Sequence, residues 1–99
     1  MDILEQICRK NLTHYSGSMA ARATEGGDVH CSRWFGARVR DYIKADTGWA
    51  VDTNSSTYRR ARAKLERMAR EGRVVAYRPG PWAYVFYWPA GLAEKLRAE

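Results

Sequence analysis

The sequence is poor in cysteine and proline and has no long apolar run. Its two cysteines, Cys8 and Cys31, form no disulfide framework, which is typical of a protein with reduced thiols. No stretch approaches the roughly 18 consecutive apolar residues of a membrane-spanning helix. The first ten residues carry acids early and lack the apolar core of a secretory signal. These absences predict a cytoplasmic protein without a membrane partner.

Motifs for catalysis and for ligand binding are also missing. The sequence has no glycine-rich nucleotide loop, and Ser16-Gly17-Ser18 lacks the context of a nucleophile elbow. The soft metal ligands are Cys8, His14, His30 and Cys31. Their spacing matches no zinc pattern, and the neighbours His30 and Cys31 would point to opposite sides of a strand. We therefore predict no catalytic residue, no metal, no cofactor and no small-molecule ligand.

The composition favours a single folded domain. Apolar residues make up 45% of the 99 residues and charged residues 28%, and both are spread along the chain. A chain of this length can bury one modest core. We expect one domain over residues 1–99, without a disordered tail.

The first third of the chain predicts a helix and a minor strand. The helix is expected from Asp2 to about Ser16, since a negative charge favours a helix start. Its broad apolar arc consists of Ile3, Leu4, Ile7, Cys8, Leu12 and Tyr15. Asn11 lies inside this arc and would need a hydrogen-bond partner if buried. Met19–Glu25 predicts another helical turn or two, and Val29–Cys31 predicts a short strand.

A second helix is predicted over Arg33–Asp46, with Ser32 as its N-cap. Its core side carries Phe35, Val39, Tyr42 and Ile43. Thr47-Gly48 ends the helix. We expect Trp49 and Val51, in the connection that follows, to fill the core over the turn.

A third helix is predicted over Asn54–Glu71. Four residues of N-cap type precede or begin it: Thr53, Asn54, Ser55 and Ser56. Its apolar stripe consists of Tyr58, Ala61, Leu65 and Met68. Gly72 can close the helix in the left-handed conformation.

A β-hairpin is predicted directly after this helix. Its strands are Val74–Tyr77 and Trp82–Trp88, and Pro79-Gly80-Pro81 separates them. On the second strand Tyr84, Phe86 and Trp88 share a face and are expected in the core. The C-terminal segment 89–99 predicts a short helix.

The formal charge of +6 is concentrated in this helix and hairpin. Residues 53–88 hold eight cations and two acids, whereas residues 1–52 hold seven of each and residues 89–99 two of each. The eight cations are Arg59, Arg60, Arg62, Lys64, Arg67, Arg70, Arg73 and Arg78. A one-sided excess of this kind indicates a polyanionic partner. The alternative is that the arginine face of the helix is merely solvated.

The order of elements resembles the winged helix-turn-helix family of DNA-binding domains. The stretch SSTYRRARAKLERMAREGRVVAYR carries the resemblance, which covers about residues 2–88. It resembles a recognition helix at about residues 54–71 followed by a wing at about residues 74–88. The implied fold is mainly α with a small β-hairpin (α+β), with three helices, a two-stranded wing and a short C-terminal helix. The connection Thr47 to Thr53 is longer than the tight turn of the simplest members.

The resemblance implies a protein that binds double-stranded DNA in a sequence-specific manner. The DNA-binding residues that it implies are Ser55, Ser56, Thr57, Arg59, Arg60, Arg62, Ala63, Lys64, Arg67, Arg78 and Trp82. Those facing the bases would be Ser56, Arg59, Arg60 and Ala63, since guanidinium can pair with both guanine acceptors. Contacts to phosphates would come from Thr57, Arg62, Lys64 and Arg67. In the wing, Arg78 would reach a phosphate or the minor groove, and Trp82 would lie against the backbone.

A small bacterial or phage transcriptional regulator, such as a repressor bound at the nucleoid, fits these expectations. Two other functions stay open: a winged helix that docks a protein partner, and RNA or single-strand binding by the aromatic hairpin. Trp82 can alternatively pack across the hairpin against Tyr77. A homodimer would use the apolar arc of the first helix or the Leu92/Leu96 stripe. The alternative is that both surfaces complete the core of a monomer.

Overall fold

The computed structural model describes residues 2–12, 36–78, 80–92 and 95. Within these ranges the chain forms three helices, α1 (Ile3–Leu12), α2 (Val39–Thr47) and α3 (Ser56–Arg70). Two strands follow, β1 (Val74–Tyr77) and β2 (Phe86–Pro89), and they pair antiparallel. The predicted α+β class, with three helices and a two-stranded hairpin, is confirmed. None of the helices in the described ranges is long and apolar enough to span a bilayer.

Helix α1 packs against α2 and β2. Leu4 and Cys8 are completely buried, and the Asp2 carboxylate accepts a hydrogen bond from the Leu4 N–H at 3.3 Å, as a capping residue does. The Asn11 amide donates to the Gly36 carbonyl at 3.4 Å, which supplies the expected partner. The predicted helix end near Ser16, and the elements predicted over 19–25 and 29–31, lie outside the described residues.

Helix α2 begins at Val39, so the predicted start at Arg33 is wrong. The backbone of Ala37 is extended and pairs with Tyr87, with both N–H···O bonds at 2.8 Å. The Arg38 N–H then donates to the Asp41 carboxylate at 3.1 Å and starts the helix. The long-range pairing of Ala37 excludes a helical conformation there. Ser32 and Phe35, predicted as cap and core residue, lie outside the described residues.

The connection from α2 to α3 buries less than predicted. Gly48 ends α2 at φ 83° and donates to the Lys44 carbonyl at 2.8 Å, as expected of a left-handed cap. Val51 packs against the core, whereas Trp49 is 75% exposed, so its predicted burial is wrong. The Trp49 N–H donates to the Thr47 hydroxyl at 3.2 Å. This local hydrogen bond fixes the backbone at the turn and leaves the indole outside.

Helix α3 matches the prediction within two residues at its start and one at its end. The Ser55 hydroxyl accepts from the Tyr58 N–H at 3.2 Å and caps the helix. Leu65 is completely buried, with Tyr58 and Met68 packed at the edges of the core. After the last turn Gly72 has φ 76°, and the Arg73 N–H donates to the Met68 carbonyl at 2.9 Å, so the predicted stop is confirmed.

In the second strand of the hairpin, the buried face is the one opposite to the predicted face. Tyr87 is 2% exposed and pairs with Ala76, while Tyr84 is 57% exposed and precedes the strand. The predicted core face of Tyr84, Phe86 and Trp88 is therefore wrong, although the last two are half-buried. Residues 85–88 are all apolar or aromatic, so their pattern does not distinguish the two faces. Strand β2 also starts at Phe86 instead of Trp82.

The described end of the chain is buried at Leu92 and forms an ion pair with α1. Leu92 is 2% exposed, and the Lys95 N–H donates to the Gly91 carbonyl at 3.1 Å, as in a helical turn. The Lys95 ammonium lies 3.3 Å from the Glu5 carboxylate of α1. Leu96 and the rest of the predicted terminal helix lie outside the described residues. Both surfaces considered for a homodimer thus contribute buried residues to the core of this chain.

Candidate nucleic-acid interface

The outward face of α3 consists of small and cationic residues. Leu65 marks the buried side of the helix, and the 3.6-residue period puts a set of exposed residues opposite it. This outward face consists of Ser56, Arg59, Arg60, Ala63, Arg67 and Arg70, all of them exposed. The 15 residues of α3 span roughly 22 Å at 1.5 Å per residue. A helix of this length, free on one side, can enter the major groove of DNA.

The cationic excess of this region is not neutralised within the described part of the chain. Its two acids each form one ion pair: Glu66 with Arg62 at 3.7 Å, and Glu71 with Arg73 at 3.7 Å. The six remaining cations have no carboxylate within 4.0 Å among the described residues; they are Arg59, Arg60, Lys64, Arg67, Arg70 and Arg78. The net +6 of residues 53–88 therefore remains available to an anionic partner.

Two of the predicted contact residues also build the start of α3. The Ser55 hydroxyl caps the helix and at the same time donates to the Asp52 carbonyl at 2.6 Å. The Arg59 guanidinium donates to the Asn54 carbonyl at 3.0 Å. Asp52 also accepts from the Asn54 N–H at 2.9 Å, so the whole entry to the helix is held by local hydrogen bonds. Ser55 thus lies at the edge of the outward face as a cap.

The side chain of Lys64 is hydrogen-bonded to a residue of α2. Its ammonium donates to the Tyr42 hydroxyl at 2.9 Å and lies 5.5 Å from the centroid of the Tyr42 ring. The hydrogen bond to Tyr42 is the main reason why the pKa of Lys64 is raised. Thr57 and Arg60 lie along the same groove between α2 and α3. Tyr42 is buried as predicted, and its hydroxyl in addition positions a cation, which the apolar pattern does not indicate.

The hairpin presents an indole to solvent. Trp82 is 97% exposed, at a turn in which the Ala83 N–H donates to the Gly80 carbonyl at 3.1 Å. Tyr77 instead has Trp88 as its ring neighbour, with centroids 6.5 Å apart and planes inclined by 50°. The alternative in which Trp82 packs against Tyr77 is therefore wrong. Arg78, which is also exposed, directly follows the last residue of β1.

Two exposed residues in the segments before α3 were not predicted as site residues. Arg40 is exposed in the first turn of α2, and Trp49 is exposed in the connection before α3. Charge counting could not indicate Arg40, because the cations and acids of residues 1–52 are equal in number. Arg40 lies close to the basic stretch only through the tertiary fold, in which it lines a cleft together with Arg62 and Arg78.

The one cysteine in the described residues is a packing residue. Burial raises the pKa of the Cys8 thiol to about 12, and the thiol donates to the Tyr87 carbonyl at 3.8 Å. Within the described ranges, no three His, Cys, Asp or Glu side chains are grouped so that they could hold a metal ion.

Comparison of the chain with protein-family models, with curated proteins and with solved structures found no match. The class of the protein is therefore defined by its own geometry: an α+β domain with an exposed basic helix, followed by a hairpin with an exposed indole.

Proposed function

We propose that this protein is a winged helix-turn-helix protein that binds double-stranded DNA in a sequence-specific manner. In this proposal α3 enters the major groove and the wing lies along the backbone or minor groove. A small transcriptional regulator of the bacterial or phage type, acting in the cytoplasm at the nucleoid, fits this activity. The observation that carries the proposal is the outward face of α3, where exposed cations stand beside small residues and have no carboxylate partner among the described residues.

Three parts of this surface would have different tasks. Arg59 and Arg60 would read bases, because a guanidinium can donate to both acceptors of guanine, and Ala63 leaves room for a thymine methyl group. Thr57, Lys64 and Arg67 would contact phosphates and set the register. The hydrogen bond from Lys64 to Tyr42 supports a positioning task, because it holds the ammonium at the flank of the helix. Arg78 and Trp82 would act from the wing.

Duplex binding across a salt series tests the proposal. If roughly five to eight cations contact phosphates, the logarithm of the association constant should fall linearly with log[salt], with a slope of about −4 to −7. Fluorescence anisotropy of a labelled random duplex gives this slope directly. An affinity that does not respond to salt would contradict DNA binding by this surface.

Single-strand binding is a second candidate, and the exposed indole of Trp82 favours it. An aromatic ring at the tip of a hairpin can stack on an unpaired base, which contributes about 1–3 kcal/mol per base. Competition between single-stranded and duplex DNA of equal length separates the two candidates. Preference for the single strand together with loss of binding in Trp82→Ala would favour the second. Absence of any nucleic-acid binding near physiological salt would leave the protein-docking function.

The homodimer stays a prediction. One helix reads only a few base pairs, and regulators often pair two domains on half-sites about one helical turn apart. Since Leu4 and Leu92 are buried within the chain, substitutions there would unfold the protein before they tested a dimer. Light scattering of the unaltered protein, free and on a single half-site duplex, decides it. A monomer in both states would exclude the dimer.

A further inference from the structure

A cleft of about 180 Å³ lies between the start of α2, one flank of α3 and the hairpin. On α3 its wall is formed by Tyr58, Arg62 and Glu66, which are spaced four residues apart and therefore lie along one side of the helix. Arg78 and Tyr84 close it from the hairpin side. A water molecule occupies about 30 Å³ of liquid, so the cleft has room for a tetrahedral anion and part of the group attached to it.

The charges that line this cleft are unequal. Four arginines and one glutamate are among its lining residues: Arg38, Arg40, Arg62, Arg78 and Glu66. Glu66 pairs with Arg62 at 3.7 Å, and Arg38 lies 3.3 Å from Asp41. Arg40 and Arg78 have no carboxylate within 4.0 Å among the described residues. Like charges on one concave wall repel, and an anion between them removes that repulsion.

The inner end of the cleft is apolar, and apolar surroundings strengthen the electrostatic attraction between these charges and an anion. Val39 and Tyr87 are buried there, and the Arg38 guanidinium lies 5.2 Å from the centroid of the Tyr84 ring. Burial raises the pKa of the Tyr87 hydroxyl, whereas the charges of Arg62 and Arg78 act in the opposite direction. The charge of Glu66, which lines the same cleft, raises this pKa further.

We propose that this cleft binds the phosphate group of a phosphate ester, held by Arg40 and Arg78. Arginine is suited to this task because its planar fork donates two parallel hydrogen bonds to phosphate oxygens. The ester is either a small free molecule or the backbone of bound DNA, and both present the same group. The inference goes beyond the proposed function, because the cleft needs no duplex in order to bind phosphate.

NMR titration of the full chain tests this inference. Inorganic phosphate and AMP are added at constant ionic strength, and the Nε–Hε signals of the arginines are followed together with the backbone amides. We expect saturable shifts around the cleft with both probes and none with adenosine. Absence of saturable shifts with phosphate and AMP, or shifts spread over all the exposed arginines, would overturn the proposal.

Charge variants with a matched control make the test specific. Arg40→Gln and Arg78→Gln should each weaken phosphate binding roughly three- to tenfold, the effect of one charge-assisted hydrogen bond at a partly exposed site. Glu66→Gln should strengthen it, because it removes the one carboxylate on the wall. Arg73→Gln changes the same charge outside the cleft and should have no effect. Equal affinity in all four variants would overturn the proposal.

The same variants distinguish the source of the phosphate. If DNA supplies it, phosphate should compete with duplex more strongly than chloride does, and Arg40→Gln should weaken duplex binding in parallel. If a free ester supplies it, duplex binding should be insensitive to Arg40→Gln. Both results support the cleft. Phosphate binding in a protein that binds no duplex would refute the proposed function and leave this inference standing.

Discussion

The Lys64 ammonium and the Tyr42 hydroxyl are joined by a 2.9 Å hydrogen bond that links α3 to α2. The pair connects the core to the basic surface, since the Tyr42 ring is buried and Lys64 is exposed. A lysine side chain has several rotatable bonds, and ordering it costs conformational entropy. The hydrogen bond to Tyr42 already orders the Lys64 side chain in the free protein, so less conformational entropy is lost when a partner binds.

Tyr42→Phe removes the hydroxyl and keeps the ring in the core. We expect a loss of about 0.5–1.5 kcal/mol in the free energy of unfolding, the usual net value of one hydrogen bond. Duplex affinity should fall as well, since Lys64 is no longer positioned. Lys64→Met is the matched variant, and the two effects should not add in the double variant. Urea unfolding and anisotropy measure both quantities; fully additive effects would show that the pair is not coupled.

The pH dependence of this link follows from the raised pKa of Lys64. A raised pKa in the folded state means that the stabilisation is complete below the unfolded value of about 10.5 and is lost as the pH rises through the folded value. The stability difference between the unaltered protein and Lys64→Met should therefore be constant at neutral pH and shrink in strongly basic solution. A difference that grows with pH would contradict the assignment.

Ser55 separates a structural role from a DNA-binding role. Ser55→Ala should cost about 0.5–2 kcal/mol of stability, because the Tyr58 N–H loses its cap. Ser55→Asp retains a capping oxygen and should keep most of that stability. Its negative charge would nevertheless repel phosphates at the start of α3, so duplex affinity should fall. An aspartate variant that binds duplex as tightly as the unaltered protein would remove Ser55 from the interface.

Trp82 should matter for binding and not for folding. Because its side chain is 97% exposed, Trp82→Ala should change the free energy of unfolding by no more than about 0.5 kcal/mol. Nucleic-acid affinity should nonetheless decrease. Trp49→Ala, at 75% exposure, tests whether an indole in the connection contributes in the same way. Thermal unfolding and anisotropy are the measurements, and a large stability loss in Trp82→Ala would contradict the hairpin geometry.

The sequence predicted α3 well because its signals are local. Ser55 supplies the cap, Leu65 and its neighbours supply the stripe, and Gly72 supplies the stop, all within one continuous stretch. The outward basic face follows from the same periodicity. Local signals of this kind do not depend on how the rest of the chain packs.

The errors come from interactions between distant segments. Nothing in the sequence near Ala37 indicates that its backbone will pair with Tyr87, fifty residues later. Because of this pairing, α2 begins after Ala37, at Val39. The strand around Tyr87 is apolar on both faces, so its packing against distant segments, α1 among them, decides which side is buried. The cleft with Arg40 and Arg78 has the same origin, since its walls come from three separate elements.

Selection of binding sites from a random duplex pool tests the central proposal most directly. It is carried out with the unaltered protein and with Arg59→Ala, Arg60→Ala and Arg67→Ala. We expect the unaltered protein to enrich one sequence. Arg59→Ala and Arg60→Ala should each lose about 1–3 kcal/mol on that site and relax its base preference, whereas Arg67→Ala should weaken all sequences about equally. No enriched sequence, or an unchanged preference in both the Arg59 and Arg60 variants, would contradict base reading by α3.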